Sequence, residues 1–174
     1  MTMQMSAVGR STISVSVTKA LTAAGNYSGE DVLSESATDT VGTAWTFANV
    51  VVNNGGRGYI VKAQALCETT ALIHSITLYL FNATPTSELD DNAANTAVIH
   101  ADVAKYLGRI DFPALSELGG DSEAVATPST YGNLPMEIQC AATSTTIYGI
   151  AVTRDAITGE TAGDDLTFKL TVES

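Results

Sequence analysis

Two histidines, two cysteines and one crowded acidic stretch are the residues whose types could carry chemistry in this 174-residue chain. His100 stands two positions before Asp102, a spacing at which a carboxylate can orient an imidazole. Glu88, Asp90, Asp91 and Asn92 crowd together, and hard oxygen ligands at close spacing are what calcium takes. The fixed glycine and terminal glutamate of a calcium loop are absent, so a solvated acidic loop is the preferred reading. An enzyme using Asp90, Asp91 and His100 is a rival reading. The chain has no GxSxG elbow, no HExxH and no zinc spacing of Cys and His. Gly55-Gly56-Arg57-Gly58 lacks phosphate-loop spacing and precedes an alternating run, so it reads as a turn. Cys67 and Cys140 each lie in an apolar alternating run and read as buried free thiols. His74 falls on an apolar face and reads as a core histidine. Neither a catalytic set, a cofactor nor a metal is expected.

The elements that would position these residues are strands. Thr and Ala are the commonest residues, and only 16% of the chain is charged, which suits short paired strands better than a helical bundle. Ile13, Val15 and Val17 alternate with Ser14, Ser16 and Thr18, and Leu166, Phe168, Leu170 and Val172 alternate with Thr167, Lys169 and Thr171. Tyr59, Val61, Ala63, Ala65 and Cys67 are expected on one face, as are Leu72, His74, Ile76, Leu78 and Leu80. Runs at 11–19, 30–35, 43–52, 57–68, 71–81, 107–112, 135–142, 145–154 and 165–173 predict an all-β fold, an antiparallel β-sandwich of eight or nine strands. Asn53-Asn54-Gly55-Gly56 predicts a tight hairpin between two of them. One short helix is expected near 102–107, from polar Asp102 to Gly108, and 119–133 reads as a surface loop. Residues 1–10 read as a flexible N-terminal arm ahead of a single domain over 11–174.

The net charge of -11 is uneven. Five acids and four bases in residues 1–87 give -1, and fourteen acids and four bases in 88–174 give -10. That balance excludes nucleic acid as an expected partner, because binding needs Lys and Arg to displace phosphate counterions. No apolar run is long enough to span a membrane, and the first residues lack signal-peptide layout.

Several short segments carry a resemblance. They are Trp45-Thr-Phe47, Leu78-Tyr-Leu-Phe-Asn-Ala-Thr-Pro85, Asp91-Asn-Ala-Ala94, Asp102-Val-Ala-Lys-Tyr-Leu-Gly-Arg-Ile-Asp-Phe112 and Tyr148-Gly-Ile-Ala-Val152. With them the chain resembles a family of tailed-bacteriophage virion structural proteins. The resemblance implies a jelly-roll-like capsid cement or decoration protein that binds the major capsid protein on the outside of the head. It implies assembly in the host cytoplasm and no catalytic residues. A homodimer or homotrimer would repeat the binding surface. The contact residues expected on that reading are Met1, Met3, Met5 and Arg10 of the arm, Glu88, Asp90 and Asp91 in loop 82–98, and Asp121 and Glu123 in loop 119–133. A neck, tail or fibre-base component, possible glycan contact included, is the alternative within the virion, and a non-viral binding module is the alternative outside it.

Overall fold

The computed structural model describes residues 11–22, 26–36, 42–69, 72–129, 133–159, 161 and 163–174. The arm candidates Met1, Met3, Met5 and Arg10 lie outside the described residues. In chain order the strands are β1 (Thr12–Ala20), β2 (Asn26–Tyr27), β3 (Val32–Leu33), β4 (Trp45–Phe47), β5 (Arg57–Cys67), β6 (Ile76–Phe81) and β7 (Tyr106–Phe112). They continue as β8 (Ser116–Glu117), β9 (Ser122–Ala126), β10 (Met136–Gln139), β11 (Ile147–Thr153), β12 (Ile157–Thr158) and β13 (Asp165–Glu173).

Two main antiparallel sheets result, with β2 and β12 paired separately as a two-stranded ladder. The first runs β1-β13-β5-β9-β8, with β10 also on β5; the second runs β3-β11-β6-β7, with β4 also on β11. Two edges are broken strands. β9 and β10 lie end to end along β5, opposite 63–67 and 57–60, while β13 occupies the other side. β3 and β4 lie end to end along β11 in the same way, opposite β6. Counting each broken edge once and setting aside the two-residue β8, each sheet has four strands. Successive strands change sheet except between β6 and β7, which is the strand order of a jelly roll.

The expected alternation forms the strands, with one change of phase. Ala63, Ala65 and Cys67 point into the core as read from the sequence, but Ile60 is the buried residue at the other end of β5 and Tyr59 is half exposed. The register against β13 shifts there: Lys62 faces Thr171, Ile60 faces Val172, and Val61 is the extra residue of a bulge. One inserted residue in a period of two exchanges the faces.

Three other expectations are corrected. The helix at 102–107 is a 3-10 turn at His100–Asp102, and the chain is already a strand at Tyr106. Asp102 does not start a helix because its carboxylate accepts the backbone N–H groups of Thr86 and Ser87 instead. Gly108 does not end one either. It sits inside β7 at φ +146°, where a Cβ would come 2.5 Å from Met136 Sδ. The turn at 53–56 is tight, with Gly56 N–H donating to Asn53 O at 2.9 Å, but it carries the chain between sheets and joins no hairpin. Loop 119–133 contains a strand, β9, whose Ser122, Ala124 and Ala126 are buried against β5.

The main core lies between the sheets. Trp45 meets Phe168 edge to face, with centroids 4.7 Å apart, a contact worth about 1 kcal/mol beyond area burial. Its indole N–H donates to Leu33 O at 3.0 Å, so the ring's one polar group is met. A smaller cluster of Val32, Tyr79, Phe81, Ile150 and Val152 lies on the outer side of the second sheet. Every residue of β6 is therefore buried, because both of its faces are covered.

Candidate functional site

The cover on the second sheet is the acidic stretch itself. Leu89, Ala97 and Val98 pack on the outer cluster, so residues 82–105 form a roof. Backbone bonds hold its edges: Val32 N–H donates to Ala93 O, Asn92 N–H to Val32 O, and Asn82 N–H to Lys105 O, each at 2.9 Å.

Two carboxylates pin the roof from inside. Asp102 is fully buried and accepts from Thr86 N–H at 2.8 and 2.9 Å, Ser87 N–H at 2.8 Å, Ser87 Oγ at 2.7 Å and Lys105 Nζ at 3.1 Å. Burial alone would raise its pKa, but the bonds from Ser87, Thr86 and Lys105 outweigh it and hold the carboxyl well below the usual range. Asp91 is 6% exposed and accepts from Tyr27 Oη at 3.0 and 3.1 Å, Ser34 N–H at 2.8 Å and Thr22 Oγ1 at 3.3 Å.

The remaining expected contact residues divide between the two sheets. Glu88 folds onto its own turn, accepting from Leu89 and Asp90 N–H at 2.9 Å each. Asp90 accepts from Gly42 N–H at 2.8 Å. Asp121 is exposed at the tip before β9, and Glu123 lies on the outward face of β9, where it accepts from Gln64 Nε2 at 2.8 Å. The structure thus keeps Glu88, Asp90 and Asp91 within the roof over the second sheet and sets Asp121 and Glu123 on the first. His100 is exposed, and Asp102 does not reach its imidazole, since both carboxylate oxygens serve Thr86, Ser87 and Lys105. Among the described residues no group of three or more His, Cys, Asp or Glu side chains is placed to hold a metal ion. Cys67 and Cys140 are both buried, and burial pushes the Cys140 thiol up.

The sequence reading also missed a buried lysine. Lys19 falls on the inward face of β1 after Ile13, Val15 and Val17, so parity in the sequence already marks it. Its Nζ donates to Glu35 at 2.5 Å and to the Thr43 carbonyl, and lies 5.2 Å from the Trp45 ring centroid. It ties Glu35, just after β3, to Thr43, just before β4. Burial lowers the Lys19 pKa against the pull of Glu35. Burial would raise Glu35, but Lys19, Thr43 and Ser34 draw it down to about 2.

The two outer faces end up unlike each other. The second sheet is roofed. The first presents exposed Thr12, Ser14, Ser16 and Thr18 of β1 beside Thr167, Lys169 and Thr171 of β13. Thr18 and Thr167 hydrogen-bond through their hydroxyls at 2.7 Å. No family model matches this chain, and neither a curated protein nor a solved structure is found similar to it.

Proposed function

We propose that this chain is a capsid decoration protein of a tailed bacteriophage, which binds the major capsid protein on the outside of the head as a homodimer or homotrimer. The observation that carries this reading is the inequality of the two sheet faces. A roof fastened by buried Asp91 and Asp102 makes one face rigid, while the hydroxyl-rich face of β1 and β13 stays open over nine-residue strands. Adhesion to a lattice asks for a stiff body with a broad repeated surface, since weak contacts then add by avidity. The arm with Met1, Met3, Met5 and Arg10 precedes β1 at the border of the open face, and Asp121 and Glu123 stand at its other border. These are the contact residues of the proposal.

The test is addition of purified protein to undecorated heads, followed by particle reconstruction. Density over the head surface at capsomer junctions is expected. Density confined to the neck or tail supports the alternative virion location, and no association with particles overturns both. Deletion of residues 1–10 is expected to weaken head binding with the sandwich intact; full coating by the truncated protein would remove the arm from the contact set.

A further inference from the structure

The first sheet ends on one side in β1, and among the described residues no strand lies beyond it. The other sheet edges are interrupted. β9 with β10 and β3 with β4 are broken strands, and β7 shifts register against β6 and carries Arg109 and Asp111. Breaks, bulges, prolines and edge charges are what keep a sheet edge from pairing with another chain. β1 has none of them: it is nine residues long, keeps one register throughout, and turns its one charged side chain, Lys19, inward. We propose that β1 pairs antiparallel with β1 of a second copy about a two-fold axis at Val15, joining the two first sheets into one.

The hydrogen-bond parity of β1 sets which groups are on offer. Ser11 N–H donates to Ser174 O at 3.0 Å, and Ser174 N–H donates to Ser11 O at 2.9 Å. At the other end Leu21 N–H donates to Asp164 O at 2.9 Å. Odd-numbered residues therefore turn their N–H and C=O groups toward β13, and Thr12, Ser14, Ser16 and Thr18 turn theirs toward the open edge. No backbone bond among the described residues meets these groups. The side chains agree. Ile13, Val15 and Val17 point to the inner side of the sheet, and Val15 and Val17 pack on the core, yet all three stay partly exposed. A strand added beyond β1 would cover both the backbone groups and these side chains.

The order of residue types selects a second copy as that strand. Thr12-Ile-Ser-Val-Ser-Val-Thr18 reads the same in either direction, apart from the exchange of Ile for Val. A two-fold contact sets residue i against j and j against i. With the axis at Val15, Thr12 meets the partner's Thr18, Ile13 the partner's Val17, and Ser14 the partner's Ser16. Even-numbered residues meet even-numbered ones, so the open N–H and C=O groups of both copies are met. β-branched side chains meet β-branched side chains on the inner side. No charged side chain lies within 11–18, so the charge of -11 on each copy sets no like pair beside the axis. Lys19, paired with Glu35, falls opposite the partner's Ser11. The outward face of β1 and β13 stays open and doubles its extent. This contact is an interface for the homodimer of the capsid reading, chooses it over the homotrimer, and rests on that part of the reading alone.

Sedimentation of the full chain over a range of concentrations tests it. A dimer is expected at high concentration, with dissociation on dilution because the contact is small. Ser16→Pro removes an N–H that faces the open edge and costs no bond to β13, so a folded monomer is expected at every concentration. Hydrogen exchange at Ser14 and Ser16 is expected to be slow in the dimer and to speed up on dilution. Val15→Cys is expected to oxidise to a disulfide-linked dimer, since residues of a non-hydrogen-bonded pair have Cα atoms ~4.5 Å apart. The unsubstituted chain, with Cys67 and Cys140 buried, is the control. A monomer at all concentrations overturns the proposal, and slow exchange at Ser14 and Ser16 in that monomer would assign the edge to another part of the same chain. A dimer that persists in folded Ser16→Pro, or that Val15→Cys does not link, overturns it as well. Should Ser16→Pro not fold, the disulfide and the exchange decide. A β1 dimer that ignores undecorated heads removes the capsid reading alone, and head binding by a chain without the β1 dimer removes this inference alone.

Discussion

Lys19 Nζ and Glu35 Oε2 stand 2.5 Å apart, with the lysine side chain 8% exposed and the glutamate 32%. The pair ties β1 of the first sheet to Glu35, just past the end of β3 at the edge of the second. The pull on the two partners differs. Burial disfavours the charged lysine, whereas the hydrogen bonds dominate at the less buried carboxylate. The stabilising direction at Glu35 is the one its geometry supports, because Lys19, Thr43 and Ser34 all donate to it.

Glu35→Gln is accordingly expected to destabilise the protein by about 3 kcal/mol, because it strands a buried ammonium. Lys19→Met with Glu35→Gln together is expected to cost less than Glu35→Gln alone, since no buried charge then lacks a partner. Urea unfolding of the three variants, read as a double-mutant cycle, measures this. The pH dependence has a definite sign. Glu35 titrates lower in the folded chain, about 2 against 4.5, so its contribution is full above 4.5 and is lost as pH falls toward 2.

Asp102→Asn is expected to loosen the roof. The amide keeps one acceptor oxygen where four N–H and O–H donors from Thr86 and Ser87 converge. Leaving buried donors unmet costs about 2–3 kcal/mol. Hydrogen exchange should speed up at Thr86 and Ser87 while β13 amides stay protected, and equal exchange at all of these sites would contradict the role given to Asp102.

His74 supplies the opposite kind of residue, a buried group whose Nδ1 has no hydrogen-bond partner among the described residues. Burial lowers its pKa from 6.5 to about 4, against the attraction of the Asp155 carboxylate. The folded chain therefore binds this proton less readily than the unfolded chain. Stability from this group is full above pH 6.5 and is lost as pH falls from 6.5 toward 4, by up to about 3 kcal/mol. His74→Leu is expected to flatten the change in melting temperature between pH 7 and pH 5 and to cost little at pH 7.

Gly108→Ala is expected to destabilise by about 1–3 kcal/mol, because the new methyl meets Met136 Sδ and the residue keeps φ at +146°. Met136→Ala in the same chain should recover the steric part and leave the backbone part. Thermal melts of the single and double variants separate the two.

The sequence by itself determined the class of structure. Period-two alternation is a local property, and it places Ile13 to Val17, Leu166 to Val172 and Ile138 on inward faces without knowledge of their partners. The burial of His74, Cys67 and Cys140 follows from the same parity. The tertiary structure decided what covers each face. Asp91 reads as a surface acid because its partners, Tyr27 and Ser34, lie more than fifty residues away in the chain. Asp102 reads as a helix start because nothing local announces that Thr86 and Ser87 will aim their N–H groups at it. The bulge at Val61 is equally silent, since only the register against Val172 exposes the extra residue. Local spacing fixes which way a side chain points along its own strand. Pairing across long loops fixes whether water or another part of the chain meets it there.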